Sequence, residues 1–137
     1  MSRFFYFYQI YLYFCAMEEF SEQELHQIAM NHVGKDLESK GFEFIAINSQ
    51  LKRHPQFVCV DKETNTLHFV MVQAVPYPIN PDEPNDLFID TFLNHAKAKN
   101  AKVLFAGVGI ANADDFEQPI YKSSDYIINY NGYKTLL

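Results

Sequence analysis

The 137-residue sequence contains no tryptophan, two cysteines and five glycines. Cys15 and Cys59 cannot build a disulfide framework, and by themselves they cannot complete a zinc site. Cys59 lies in the apolar run FVCV and is expected to be a small buried hydrophobe. This cysteine usage fits a reducing, cytoplasmic setting. Basic residues are also scarce: 11 Lys and Arg stand against 17 Asp and Glu, for a net charge of −6. The largest basic cluster is Lys52-Arg53. Binding to phosphate backbones needs clustered cations, so no nucleic-acid partner is expected. The chain has no H-E-x-x-H pair, no Cys/His cluster, no G-x-S-x-G elbow and no phosphate loop. Common signatures of zinc hydrolases, serine hydrolases and nucleotide binders are therefore missing, and no metal or cofactor is expected.

What is present is the composition of an ordinary globular domain, 48% apolar and 20% charged. A chain of this length suggests one domain with one core. Residues 1–16, MSRFFYFYQIYLYFCA, differ from the rest: of 13 Phe and 9 Tyr, eight lie between Phe4 and Phe14. The apolar run ending at Met17 is shorter than the ~20 residues a spanning helix needs. Phe14 spoils the small-x-small pattern that would precede signal cleavage at Ala16. Met17 opens MEEFSEQEL in the style of a cytosolic start, so residues 1–16 are expected to be an extension outside a domain at 17–137. Membrane association is expected only if that extension is a genuine and exposed part of the protein.

Ser21 and Glu24 have the spacing of a capping box, and Phe20 with Leu25 occupies the positions of a hydrophobic staple. Leu25, Ile28, Ala29, Val33 and Leu37 then repeat with helical period, and Gly41 suits the left-handed residue beyond the helix end. His26 and His32 on this helix are six residues apart, which is not a ligand-pair spacing, and they are taken as ordinary polar or boundary residues. Strands are predicted at 42–47, 56–60 and 67–75, with 61–66 (DKETNT) closing an antiparallel hairpin between the last two. Their consecutive apolar residues suggest sheet faces that are both covered. Four of the six prolines stiffen residues 76–86. A helix is predicted from Asn85 or Asp86 to about Asn100, with Phe88, Ile89, Phe92, Leu93 and Ala96 inward. Further strands are predicted at 102–111 and 125–130, followed by a turn at Asn131-Gly132. The expected fold is α/β (α+β): one mixed sheet flanked by helices, with an α-β-β-β-α-β core.

The segment GVGIAN at 107–112 lacks the third glycine of a dinucleotide fingerprint and sits late in the chain, so its glycines are expected to serve close packing. The acids Asp82, Glu83 and Asp86, and likewise Asp114, Asp115 and Glu117, match no calcium-loop pattern and are expected to be turn and cap residues.

Gly41-Phe42, Ile47-Asn48, PQFVCVD at 55–61 and FVMVQ at 69–73 together resemble small bacterial endonuclease-like proteins related to archaeal Holliday-junction resolvases, within the PD-(D/E)xK nuclease superfamily. Members show a helix ending in Gly-Tyr or Gly-Phe, a strand leading to Asn, then GEIDLIA and FVEVK. The resemblance implies a restriction-endonuclease-like fold. It also implies a metal held by an Asp on the second strand and a Glu on the third, with a Lys two residues beyond. At those positions this chain has Val58, Met71 and Gln73, so the resemblance implies a degenerate site without catalytic residues. Chain length and style are also similar to a small family named after a component of the Na⁺-translocating NADH–quinone reductase. That name implies a flavin and a [2Fe–2S] cluster, but such a cluster needs four cysteine ligands and the chain has two cysteines.

The leading expectation is a non-catalytic nuclease-like domain acting through a protein partner or as a homo-oligomer. An alternative is a small-molecule or peptide site between loops 76–86 and 109–116, with Tyr77, Asp82 and Asn112 as contacts. Accessory membership of a Na⁺-translocating NADH–quinone reductase is a third expectation.

Overall fold

The computed structural model describes residues 18–85, 87 and 89–137. The aromatic run, Cys15, and the predicted helix positions Asp86 and Phe88 lie outside the described residues. Helix α1 spans Glu22–Ser39 and begins as its local sequence dictates. The Ser21 hydroxyl accepts from the Glu24 N–H at 3.1 Å, and the Glu24 carboxylate accepts from the Ser21 N–H at 3.1 Å. This reciprocal pair satisfies two amide donors that a helix start leaves free. At the other end Gly41 takes φ +92, a backbone that a side chain would strain.

Strand β1 (Phe42–Ile47), β2 (Phe57–Asp61) and β3 (Leu67–Pro76) form an antiparallel meander. The β2–β3 hairpin closes through Asp61 N–H to the Thr66 carbonyl at 3.1 Å, with Asn65 at φ +57. Helix α2 (Ile89–Ala98) then carries the chain across the sheet to β4 (Lys102–Asn112), which pairs parallel to β3. The described α2 begins later than predicted because Asn85 is held in the preceding loop by Gln73. Strand β5 (Tyr126–Tyr130) and the short β6 (Lys134–Thr135) run antiparallel along the same edge of β4, completing a six-stranded open sheet in the order β1-β2-β3-β4-β5. Asn131-Gly132 therefore interrupts this course rather than reversing it, which corrects the predicted turn.

Alternation along β3 and β4 sorts the core into two layers. Val70, Val72, Leu104, Ala106 and Val108 join Ala29, Met30, Val33 and Leu37 of α1. Phe69, Met71, Val103 and Phe105 join Phe92 and Ala96 of α2 on the opposite face. Strand β4 is buried along all but its first residue because both faces are covered. At β1 the expectation of two covered faces is corrected: Ile45 is 62% and Ile47 59% exposed. Among the described residues no helix is long and apolar enough to cross a membrane.

Candidate functional site

Val58, Met71 and Gln73 do share one face. Val58 stands opposite Phe69 across the β2–β3 ladder, and Met71 and Gln73 follow at two-residue steps along β3. That face is not open. Met71 is 2% exposed within the cluster of Phe69, Phe92 and Phe105, and Val58 packs against the same cluster. The Gln73 side chain belongs to the proline-rich loop: its Nε2 donates to the Glu83 carbonyl at 2.9 Å, and its Oε1 accepts from the Asn85 N–H at 3.0 Å. Its cross-strand neighbour Gly107 has no Cβ, and one placed there would lie 1.8 Å from the Pro81 carbonyl oxygen. The first glycine of GVGIAN thus lets the loop lie directly on β4. Asp82 anchors the same loop to the far edge, accepting from Asn131 Nδ2 at 3.1 Å while its carbonyl accepts from Lys134 Nζ at 2.6 Å.

Two carboxylates on neighbouring elements that could stand in for a lost metal ligand lie elsewhere. Glu43 is exposed on β1, and Asp61 accepts from the Glu63 N–H at 2.9 Å in the hairpin. Among the described residues no three His, Cys, Asp or Glu gather as a group able to hold a metal ion. Cys59 is fully buried, and burial pushes its thiol pKa up to about 11, so the thiol stays protonated at neutral pH.

Two grooves of about 340 Å³ open on the described surface. One runs between α1 and β1, and its rim carries both Lys35 and Glu38. The other lies where β3 and β4 end. Its framework is built by residues 18–20, which run antiparallel to 120–122: the Phe20 N–H donates to the Ile120 carbonyl at 3.0 Å and the Lys122 N–H to the Glu18 carbonyl at 2.8 Å. Tyr77 is positioned by its N–H to the Ile110 carbonyl at 3.0 Å, and its ring meets Phe116 at 5.4 Å with a 57° tilt. Phe20, Leu25, Ile110 and Ile120 supply apolar wall, and Glu19 and Glu117 supply charge. Lys122 lies just outside, paired with Glu18 at 3.0 Å and Glu24 at 3.2 Å. The hydrogen bond to Glu18, then that to Glu24, raises its pKa.

Of the three ligand contacts expected from sequence, Tyr77 lines this groove. Asn112, only 4% exposed, organises the opposite loop: Nδ2 donates to the Pro119 carbonyl at 2.9 Å and Oδ1 accepts from the Asp114 N–H at 2.9 Å. Asp82 serves the other loop as described. Phe116, the second ring of the groove, carries no signal in the sequence, because its pairing with Tyr77 spans two loops distant along the chain.

His26, expected to be a polar or boundary residue, is instead 1% exposed. It sits three and four residues before Ala29 and Met30, so it continues their buried stripe. Neither of its ring nitrogens has a hydrogen-bond partner among the described residues, and burial, then the nearby charge of His54, lowers its pKa. Gln56, predicted within β2, is fully buried where that strand peels away. Its Oε1 accepts from the Val72 N–H at 2.8 Å, so a side chain replaces the backbone partner that β2 no longer supplies.

Fold and groove together define a small mixed α+β domain with one open sheet. The chain belongs to a family described as a domain of unknown function (DUF8840), whose model matches residues 23–136. No curated protein and no solved structure matches the chain.

Proposed function

We propose that this chain is a nuclease-like α/β domain without a catalytic centre that acts by docking a protein partner. The restriction-endonuclease-like assignment is supported by the antiparallel β1–β3 meander and the crossover through α2 to a parallel β4. The observation that carries the reading is the environment of Met71 and Gln73. Mg²⁺ and Mn²⁺ are hard cations that require oxygen ligands, normally one or two carboxylates beside substrate phosphate. Met71 offers a buried thioether and Val58 offers no ligand. Gln73 carries no charge and spends its amide on the loop backbone, donating to Glu83 and accepting from Asn85.

The test is incubation of the full chain with single-stranded, duplex and branched DNA in Mg²⁺ or Mn²⁺. No cleavage is expected. Metal-dependent cleavage that disappears on Glu43→Ala or Asp61→Ala would overturn the reading.

The place of docking is the Tyr77–Phe116 groove. A small molecule or free peptide held between the two loops is the second reading, favoured by the same pair of rings, each nearly half exposed.

A further inference from the structure

We infer that the Tyr77–Phe116 groove receives an arginine side chain from an extended segment of a partner protein, which rests on the docking reading above. Two aromatic walls set the first requirement. Tyr77 is 46% and Phe116 45% exposed, and their 57° tilt is not a face-to-face stack, so ring surface remains for a third planar group. Exposed apolar surface of this kind marks an interaction site when it is contiguous and rimmed by polar residues. The volume, about 340 Å³, is at the small end of binding pockets and suits a side chain with its flanking backbone rather than a folded element.

Charge then selects the occupant. Glu19 and Glu117 line the groove, and among the described residues no Lys or Arg does. Asp114 and Asp115 lie on the same loop as Phe116, and Glu22 lies in the first turn of α1 beyond Phe20. Lys122, the neighbouring cation, is already committed to Glu18 and Glu24. An anionic occupant such as a phosphopeptide, nucleic acid or acidic lipid surface would meet uncompensated repulsion here. An aliphatic side chain would cover the rings but leave the carboxylates unused. A cation with a planar, weakly hydrated head satisfies both features: guanidinium stacks on aromatic faces and takes carboxylates by paired N–H donors. Lysine, a compact and strongly hydrated charge, matches the rim but not the rings. The lining resembles an aromatic recognition groove more than an enclosed pocket, so the arginine is expected within an extended stretch of chain.

The experiment uses the full chain with ring-labelled Phe and Tyr, followed by NMR. It is titrated into the millimolar range with the blocked peptide acetyl-Gly-Ser-Arg-Pro-Gly-amide and with versions carrying citrulline, lysine or norleucine in place of arginine. Citrulline keeps the shape and removes the charge. Saturable shifts of the Tyr77 and Phe116 rings are expected with the arginine peptide. Binding is expected to weaken roughly tenfold with citrulline, and about as much with Phe116→Ala or with Glu19→Gln and Glu117→Gln combined. All three substituted residues are exposed, and thermal melting checks that each variant stays folded. Citrulline or norleucine binding as tightly as arginine would overturn the arginine inference and leave the docking reading standing. Shifts of equal size in Phe116→Ala, spread over Phe and Tyr rings outside the groove, would overturn the inference as non-specific charge attraction. No saturable shift of either ring with any of the four peptides would overturn both.

Discussion

Gln73 donates its side-chain amide to the carbonyl of Glu83 at 2.9 Å, which ties the middle of β3 to a loop ten residues further along the chain. The same side chain accepts from the Asn85 N–H, so it supplies a donor and an acceptor at once. Lysine, the residue that the nuclease resemblance would place here, supplies only donors. Gln73→Lys is therefore expected to destabilise the domain by about 1–2 kcal/mol, through loss of the Asn85 partner, without conferring cleavage. Urea unfolding of the variant, alongside the DNA assay, checks both effects.

Gly107 and Gly34 should respond oppositely to alanine. A Cβ on Gly107 would lie 1.8 Å from the Pro81 carbonyl oxygen and 2.6 Å from its carbon, so the loop must move off the sheet. A loss of about 3 kcal/mol is expected, at the upper end of overpacking costs. On Gly34, inside α1, the nearest atom is the Phe57 ring at 3.4 Å, an ordinary contact. Gly34→Ala should stabilise by about 0.5–1 kcal/mol through helix propensity. Equilibrium denaturation of the two variants tests the pair.

His26 should make the fold acid-sensitive. Burial, then the charge of His54, holds its folded-state pKa below the ordinary value, so the unfolded chain binds the proton more readily. Its contribution is fully present above the unfolded pKa near 6.5 and is lost as pH falls toward the folded value, at no more than about 1.4 kcal/mol per pH unit. His26→Leu, which removes two ring nitrogens lacking partners, should abolish this component and be at least as stable at pH 7. Stability measured from pH 5 to 8 in both proteins decides it.

Tyr130 should behave in the opposite sense at alkaline pH. Its hydroxyl donates to Asp36 Oδ2 at 2.8 Å, fastening β5 to α1. Burial, and then the hydrogen bond to Asp36, raises its pKa well above the ordinary tyrosine range. The folded state keeps a proton that the unfolded chain releases near 10, so this contribution is present below that pH and fades above it. Tyr130→Phe is expected to cost about 1 kcal/mol at pH 7 and to lose the alkaline dependence. Ultraviolet titration of the tyrosines, compared between the two proteins, reports the missing late ionisation.

Helix α1 was legible because its signals are local: the Ser21–Glu24 box, the Phe20 and Leu25 staple positions and the residue after the end all lie within reach of one another along the chain. Strands β1 to β5 were legible to within one residue because apolar runs bounded by polar or proline-rich segments have few alternatives. The place of Tyr77 beside a groove followed from a general rule, that loops at strand ends border clefts, together with the rigidity of its proline neighbours. Those features depend on backbone preference and hydrophobic pattern, which act over a few residues.

The tertiary structure alone decided the rest. Short β6 has no pattern of its own and exists because Leu104 and Phe105 offer an unpaired edge. Gln56 becomes a core residue because β2 leaves the sheet before β3 ends, and an amide without a ladder partner must find one. Asp82 and Asn112 are polar loop residues whose side-chain partners, Asn131 Nδ2 and the Pro119 carbonyl, are set by how the loops fold against the sheet. Phe116 completes the groove only when its loop folds across from Tyr77. In each case the residue type was visible in the sequence, but its role was set by a partner brought near through long-range packing, which no local preference encodes.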